Sequence, residues 1–305
     1  MTALGAQYPS SLTVRIGCEL VYSVFVPTPA LFILRPRRSA TQRIVQEALS
    51  MEPGLISTEE TDSHGNIVDR VMLKPGLNTI RHDAFVSVSS LPETVPLWEG
   101  ALPVEQLSLA LLRYTQPSRY CESDVLSDFA KQAFSYNSPG GPTVKAIADW
   151  VHQNIAYRTG SGSSELTAAK VLERRYGVCR DFAHATAVLC RTFNIPTRYV
   201  SGHLPDIGVL DPGAPMDFHA YTEVYLANGW NAVDARFNTP RIGRIKIAAG
   251  IDAVDGAFAT IYGPADLTSF YVWAYQIDPA EIRLGDPIDL SKRLDSSLIV
   301  RFPQC

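Results

Sequence analysis

Residues 176–195 read YGVCRDFAHATAVLCRTFNI. A glycine turn delivers a cysteine, and an apolar-rich run at helical spacing follows at once. Phe182, Ala185, Leu189 and Phe193 fall on one face of the predicted helix, and Ala183, Ala187, Cys190 and Asn194 on a neighbouring one. So wide an apolar surface calls for a helix enclosed by other elements. Gly177 permits the sharp entry and puts Cys179 at or near the N-cap. There the unpaired N–H groups and the helix dipole favour an anion. A thiolate, not a thiol, is the nucleophile, and the same N–H groups can hold a developing oxyanion. Burial opposes ionisation, so a nucleophilic Cys179 requires an imidazolium close by.

Six histidines are available. His184 lies five residues beyond Cys179, about 140° round the helix, and is expected to pack internally. His152 falls on the predicted helix of VKAIADWVHQNIAY as a half-buried packing residue. His64 and His82 read as turn and surface residues, and His203 ends a strand. His219 opens the strand HAYTEVYL after the long loop PDIGVLDPGAPMDF, where a site residue belongs. Its natural partner is Asp234 in GWNAVDARF. A two-residue turn at Asn228-Gly229 would leave the two roughly 13 Å apart along the strand. A four-residue loop, Leu226 to Gly229, pairs Tyr225 with Trp230. Asp234 then opposes Tyr221 and lies diagonal to His219 at about 7–8 Å, within side-chain reach. The longer loop, or a bulge, is the expectation.

The other cysteines, Cys18, Cys121, Cys190 and Cys305, are scattered, and no CxxC occurs. A disulfide framework and a thiolate zinc site are therefore not expected. Cys18, Cys121 and Cys190 read as small buried hydrophobes, and Cys305 as exposed and inert. The net charge is −4, with no basic stripe, so nucleic acid is a poor partner. No secretory signal and no apolar run long enough for a membrane span are read in the sequence. A cytoplasmic location is the expectation.

Residues 12–90 read as all-β: LTVRIGCELVYSVFV, two strands flanking the turn DSHGN, and NTIRHDAFVSVSS. Together they suggest a small sandwich. LPETVPLWEGALP, with three prolines, reads as a linker. Helices are expected in VEQLSLALLRYT, in SDVLSDFAKQAFS with Ser123 as N-cap, in VKAIADWVHQNIAY with Thr143 as cap, and in ELTAAKVLERR. Strands follow the helix of Cys179. The fold class is α+β, with an N-terminal β-rich domain and linker over 1–103 and a second domain over 104–305. Loops 158–166 and 204–218 contain glycines and are candidate lids.

YGVCRDFAH followed by FHAYTEVYLANGWNAVDARFN resembles the transglutaminase-like superfamily, whose pattern is G-x-C, then H-A-[aromatic]-x-E-V, then G-W-x-x-x-D. Gly177, Cys179, His219, Ala220, Tyr221, Glu223, Val224, Gly229, Trp230 and Asp234 match it in turn. The β-rich first part resembles a bacterial branch with an N-terminal sandwich-like region, described as cysteine proteases. One departure is ARFN after Asp234, where the family often has P-[TS]-N; the substrate-side contacts around Arg236 are the ones this affects. The resemblance implies a helix with an N-terminal cysteine packed on an antiparallel sheet. It implies Cys179 as nucleophile, His219 as general base and acid, and Asp234 as the group orienting the imidazole. The Cys179 N–H is one expected oxyanion donor, and Tyr157 or Tyr176 the candidate second. The substrate would be a peptide or protein, attacked at a peptide bond or a glutamine-type carboxamide, with no metal and no cofactor. Hydrolysis is the expected outcome. Acyl transfer to an amine is the alternative within the enzyme class, and a non-catalytic binding module the alternative outside it. A metal site from His203, Asp206, Asp211, Asp217 and His219 matches no ligand spacing, and solvated loop carboxylates account for the aspartates. The oligomeric state is left open, and Glu223 is expected to pair on the strand's solvent face.

Overall fold

The computed structural model describes residues 11–96, 98–134 and 139–295; the N-terminal decapeptide and Cys305 lie outside them. Six strands come first: β1 (Ser11–Val24), β2 (Thr28–Phe32), β3 (Gln42–Glu52), β4 (Ser57–Thr61), β5 (Ile67–Leu73) and β6 (Gly76–Ser89). Next come α1 (Leu109–Leu112), α2 (Ser127–Ala133), α3 (Gly141–Asn154), β7 (Ala156–Tyr157), α4 (Ala168–Arg174), β8 (Tyr176–Gly177) and α5 (Cys179–Thr192). The chain closes with β9 (Thr197–His203), β10 (His219–Leu226), β11 (Gly229–Val233), β12 (Ile245–Gly250), β13 (Ala259–Ile261) and β14 (Ala265–Ile277).

The α+β expectation holds. Two antiparallel sheets, ordered β14-β1-β6-β3 and β13-β2-β5-β4, face each other. Cys18, Leu20 and Tyr22 from one meet Ala30, Phe32, Val71 and Leu73 from the other in a shared core. The DSHGN turn joins β4 to β5 as expected, with Gly65 at φ 78. The outer face of β1 carries Arg15, fully buried, whose Nε and Nη2 bond both Asp83 oxygens at 3.0 and 2.7 Å. The segment 259–277, read as part of the second unit, supplies β13 and β14 and so completes both sheets of the first.

The third sheet is ordered β11-β10-β9-β12. Against it lies α5, whose Phe182, Ala185, Val188 and Leu189 join Val144, Ile147 and Val151 of α3 and Val224 of β10 in one core. Helix starts differ from the sequence expectation. α2 begins at Ser127, four residues past Ser123, and Thr143 lies inside α3, where Gly140 caps and Pro142 fits the first turn. VEQLSLALLRYT forms three short turns, not one helix.

Side chains of the sandwich dock on the exposed edge of β12. Gln42 donates to the Lys246 carbonyl (2.7 Å) and accepts from its N–H (2.8 Å). Asn66 does the same at Ala249, both bonds 2.8 Å. Each amide mimics a strand residue and satisfies an otherwise open edge. His64 is a turn residue, as expected, but it also contacts the Tyr114 hydroxyl (3.0 Å) and Asp255 (3.2 Å). His82 is not on the surface. It is fully buried against Glu47 (3.0 Å), because β6 is the inner neighbour of β1 and β3. That ring, with Arg35, holds the Glu47 carboxyl down at about 2 despite burial. Among the described residues no helix is long and apolar enough to cross a membrane.

Candidate active site

Cys179 is the first residue of α5, one place inside the cap residue Val178. The entry is held by Asp181, whose Oδ2 accepts from the Val178 N–H (3.0 Å) and from Arg174 (3.1 Å), while Oδ1 accepts from Arg180 (3.1 Å). A Cβ on Gly177 would stand 2.6 Å from Asp181 Oδ2. Glycine at this position lets the carboxylate fold back under the turn, which explains the G-x-C-x-D spacing. Of the described cysteines only Cys179 is partly exposed. Burial pushes Cys18 and Cys190 up to about 12 and Cys121 to about 11, so these three are inert thiols.

His219 begins β10 on the face it shares with Tyr221, while Ala220 and Val224 take the face that packs on α5. His219 Nε2 bonds Asp234 Oδ2 at 2.7 Å, and the Cys179 thiol, which bonds the Phe218 carbonyl next to it at 4.0 Å, lines the same cleft. Burial alone would lower the imidazole's pKa. The charge and hydrogen bond of Asp234, with a smaller contribution from Cys179, reverse this, and the net shift is upward. Asp234 moves the other way. Burial would raise it, but His219 and Arg244 hold it well below the usual carboxylate range. Of the three side chains expected to meet, His219 and Asp234 are hydrogen-bonded, and Cys179 lines the same cleft as His219. The β10–β11 register pairs Tyr225 with Trp230, as expected, and sets Asp234 level with Tyr221. The turn is tighter than expected: Leu226 pairs with Gly229, so only Ala227 and Asn228 are unpaired, with Gly229 at φ 107.

Three further residues hold the site, and spacing in the sequence did not mark them. Arg244 donates to Asp234 Oδ2 (3.1 Å) and, through Nε, to Glu93 (2.8 Å) in the proline-rich linker. The Glu93 N–H bonds the Arg241 carbonyl (3.0 Å). His152 is exposed and not half-buried; its Nδ1 reaches the carbonyls of Ala235 and Arg236, both at 3.0 Å, and so anchors the turn after Asp234. A helix histidine donating to two distant carbonyls leaves no periodic signal.

The remaining candidates are placed as follows. His184 stacks on Tyr120 at 5.0 Å and accepts from the Ala253 N–H (3.1 Å); burial holds it neutral. His203 is buried beside Phe218 and lowered to about 3. Glu223 is ion-paired with Arg198 and Lys246, but on a covered face and not in solvent. Tyr176 lies between the guanidiniums of Arg158 and Arg174. Tyr157 is 40 % exposed, with its ring near Phe182 of α5 (6.4 Å) and the Arg236 guanidinium over it (3.6 Å). Cys179 and His219 open on a cleft of about 370 Å³, walled by Ile33, Tyr199, Ile247, Ala253 and Phe258, with Arg180 and Asp217 also lining it. Neither tyrosine candidate lines that cleft. Ile33 belongs to the sandwich and bonds the Phe258 carbonyl through its N–H (3.0 Å), so the N-terminal unit forms part of the wall.

Comparison with known proteins agrees with this geometry. The Transglutaminase-like superfamily profile matches residues 127–235. A candidate cysteine protease from Cytophaga hutchinsonii, solved by crystallography, superposes with a TM-score of 0.80. It is 31% identical and aligns over 88% of this chain and 92% of its own. An uncharacterised protein of Mycobacterium leprae is 25% identical over 207 residues, covering 65% of this chain and 73% of its own. One from Mycobacterium tuberculosis is 28% identical over 182 residues, which span 56% of this chain and 58% of that protein. On its sandwich, its cysteine-headed helix and its match along nearly the whole of a solved relative, this chain belongs to the transglutaminase-like superfamily.

Proposed function

We propose that the protein is a thiol-dependent hydrolase of peptide bonds or glutamine-type carboxamides. The observation that carries this reading is that Cys179, at the head of its helix, and His219, bonded to Asp234, open together on one cleft. The Cys179 sulfur attacks the carbonyl carbon, and the S–C bond forms as the carbonyl π pair moves onto oxygen. The N-terminal N–H groups of α5 receive that charge. The C–N bond then breaks, and His219 gives its proton to the departing amine or ammonia. Asp234 keeps the ring in the required tautomer and supports its positive form. Water attacks the thioester, with His219 taking its proton, and the acid leaves as the sulfur returns to thiolate. The apolar walls of the cleft suit a peptide with an apolar side chain near the scissile carbonyl. Of the two tyrosines, Tyr157, partly exposed and with its ring near Phe182 of the cysteine helix, is the one taken to assist the oxyanion.

Incubation with a glutamine-containing peptide, with and without a primary amine, tests the reaction. Ammonia or peptide-fragment release without amine incorporation, lost in Cys179→Ala, is the expected outcome. Incorporation of the amine would assign acyl transfer. A Cys179 that alkylates as slowly as the buried Cys190 would favour a binding module that has kept the fold.

A further inference from the structure

The turn after β11 runs Asp234-Ala235-Arg236-Phe237-Asn238. It is closed by the Asn238 N–H on the Asp234 carbonyl (2.7 Å) and anchored from α3 by His152. With its backbone fixed, its side chains surround the imidazole. Asp234 takes Nε2, and the Phe237 ring centroid is 5.3 Å from that of His219. The Arg236 guanidinium carbon lies 4.5 Å from the Phe237 centroid and 3.6 Å over the ring of Tyr157. The Tyr157 ring in turn lies 6.4 Å, centroid to centroid, from that of Phe182, three residues beyond Cys179 in α5. Arg236 therefore stands between the ring that packs beside His219 and the ring that packs on the first turns of the cysteine helix, apart from the apolar walls of the cleft.

Its neighbours along the chain are engaged. Arg241 pairs with Asp206 (3.1 Å), and Arg244 with Asp234 and Glu93. Arg236 has no ion-pair partner among the described residues. Asp217 is the carboxylate nearest in influence, and the Phe218 N–H already bonds it at 2.7 Å. A guanidinium stacked on two rings is held flat, and its N–H edge is left to bond a planar anion side-on. A carboxylate is the group that matches this fork with two parallel bonds.

We infer that Arg236 is a specificity-determining residue that receives a carboxylate carried by the substrate beside the scissile amide. The inference rests on Cys179 being the nucleophile. The carboxylate is either the substrate's chain terminus or an acidic side chain next to the cleaved bond, and the chemistry at Arg236 is the same for both.

Two alkylating probes test it without knowledge of the substrate. Iodoacetate and iodoacetamide both form an S–C bond to the Cys179 sulfur and expel iodide, but only the first carries a carboxylate. The readout is the ratio of their rate constants at Cys179. Arg236→Gln should lower the iodoacetate-to-iodoacetamide ratio about tenfold, the scale of one charge-assisted bond, and Arg236→Lys should restore part of it. In the wild-type protein the ratio should fall as salt is raised, a measurement that needs no variant to fold. A ratio unmoved by Arg236→Gln, or one that collapses in Arg180→Gln instead, overturns the inference while leaving the nucleophile reading intact. Slow alkylation by both reagents sinks the two together. Peptides ending in a free carboxylate, capped peptides with an acidic side chain, and capped neutral peptides then identify the source. The one whose kcat/KM falls selectively in Arg236→Gln carries the recognised group, and an equal fall for all three counts against recognition.

Discussion

Asp234 accepts through a single oxygen, Oδ2, from both His219 and Arg244, and its side chain is 5 % exposed. Charges alternate along this row, which is buried from the imidazolium through the carboxylate to the Arg244 guanidinium and ends at the partly exposed Glu93. Removing one member exposes its neighbours to an unbalanced charge in a dry setting, which costs more than a lost surface pair. Asp234→Asn keeps the shape and removes the charge. His219 then loses the largest influence that raises it, and the amide can present the wrong atom to Nε2. A thiolate–imidazolium enzyme needs His219 protonated, and a raised imidazole keeps its proton to higher pH. The alkaline limb of the kcat/KM profile should therefore move to lower pH in Asp234→Asn, with turnover reduced by about three to four orders of magnitude. A pH–rate profile reads both effects, and an unmoved limb would remove Asp234 from the series. Cys179, His219 and Asp234 were legible as candidates because each opens or follows a recognisable element. Arg244 was not, because its partners come from a linker and from the far end of a hairpin, and no periodicity connects such positions.

At the scale of elements, the hairpin register followed from one demand, that Asp234 reach His219, and the exact turn did not. Pairing Tyr225 with Trp230 is compatible with a loose four-residue loop or a tight two-residue turn. Gly229 at positive φ decides for the tight one by letting Leu226–Gly229 pair as well. The covered edge of β12 was out of reach for another reason. An isolated Gln42 or Asn66 reads as a surface or turn residue, yet both are buried and serve as surrogate strand partners. Asn66→Ala would leave the N–H and C=O of Ala249 without their side-chain partners, two groups at about 1–3 kcal/mol each. The expected loss is at least about 2 kcal/mol, read as a lower urea midpoint at unchanged m-value. The same substitution at exposed Asn228, in the hairpin turn, should cost little. Equal costs would show that the Asn66 amide does not hold the two units together.

At the scale of the molecule, the linker over 91–103 divides the sequence but not the hydrogen bonding. β1 lies between β6 and β14, and every residue from Thr13 to Val21 has a Cα partner in β14. β2 has β13 on one side and β5 on the other. A chain cut after residue 103 thus loses a neighbour from each sheet and opens the edge of β1, whose Val14, Ile16, Cys18 and Leu20 are among the most buried side chains. The complementary piece keeps β9 to β12 but carries β13 and β14 with nothing to pair them. It also loses Glu93 from Arg244, and Gln42 and Asn66 from β12. Composition and proline content could mark the linker; they could not reveal that the last strands return to the first sheet, since that pairing spans more than 200 residues and depends on β-patterns that look alike wherever they occur. Neither half should therefore be an independent folding unit. The intact chain should unfold in one cooperative transition by calorimetry, with van't Hoff and calorimetric enthalpies equal, and each half expressed alone should lack dispersed amide resonances. Mixing the two halves should restore β-structure and the reactivity of Cys179 together, because the walls of the cleft and the support of Asp234 are shared between them. Two separate transitions, or a folded 104–305 fragment with a reactive Cys179, would show that the interlocking strands are dispensable.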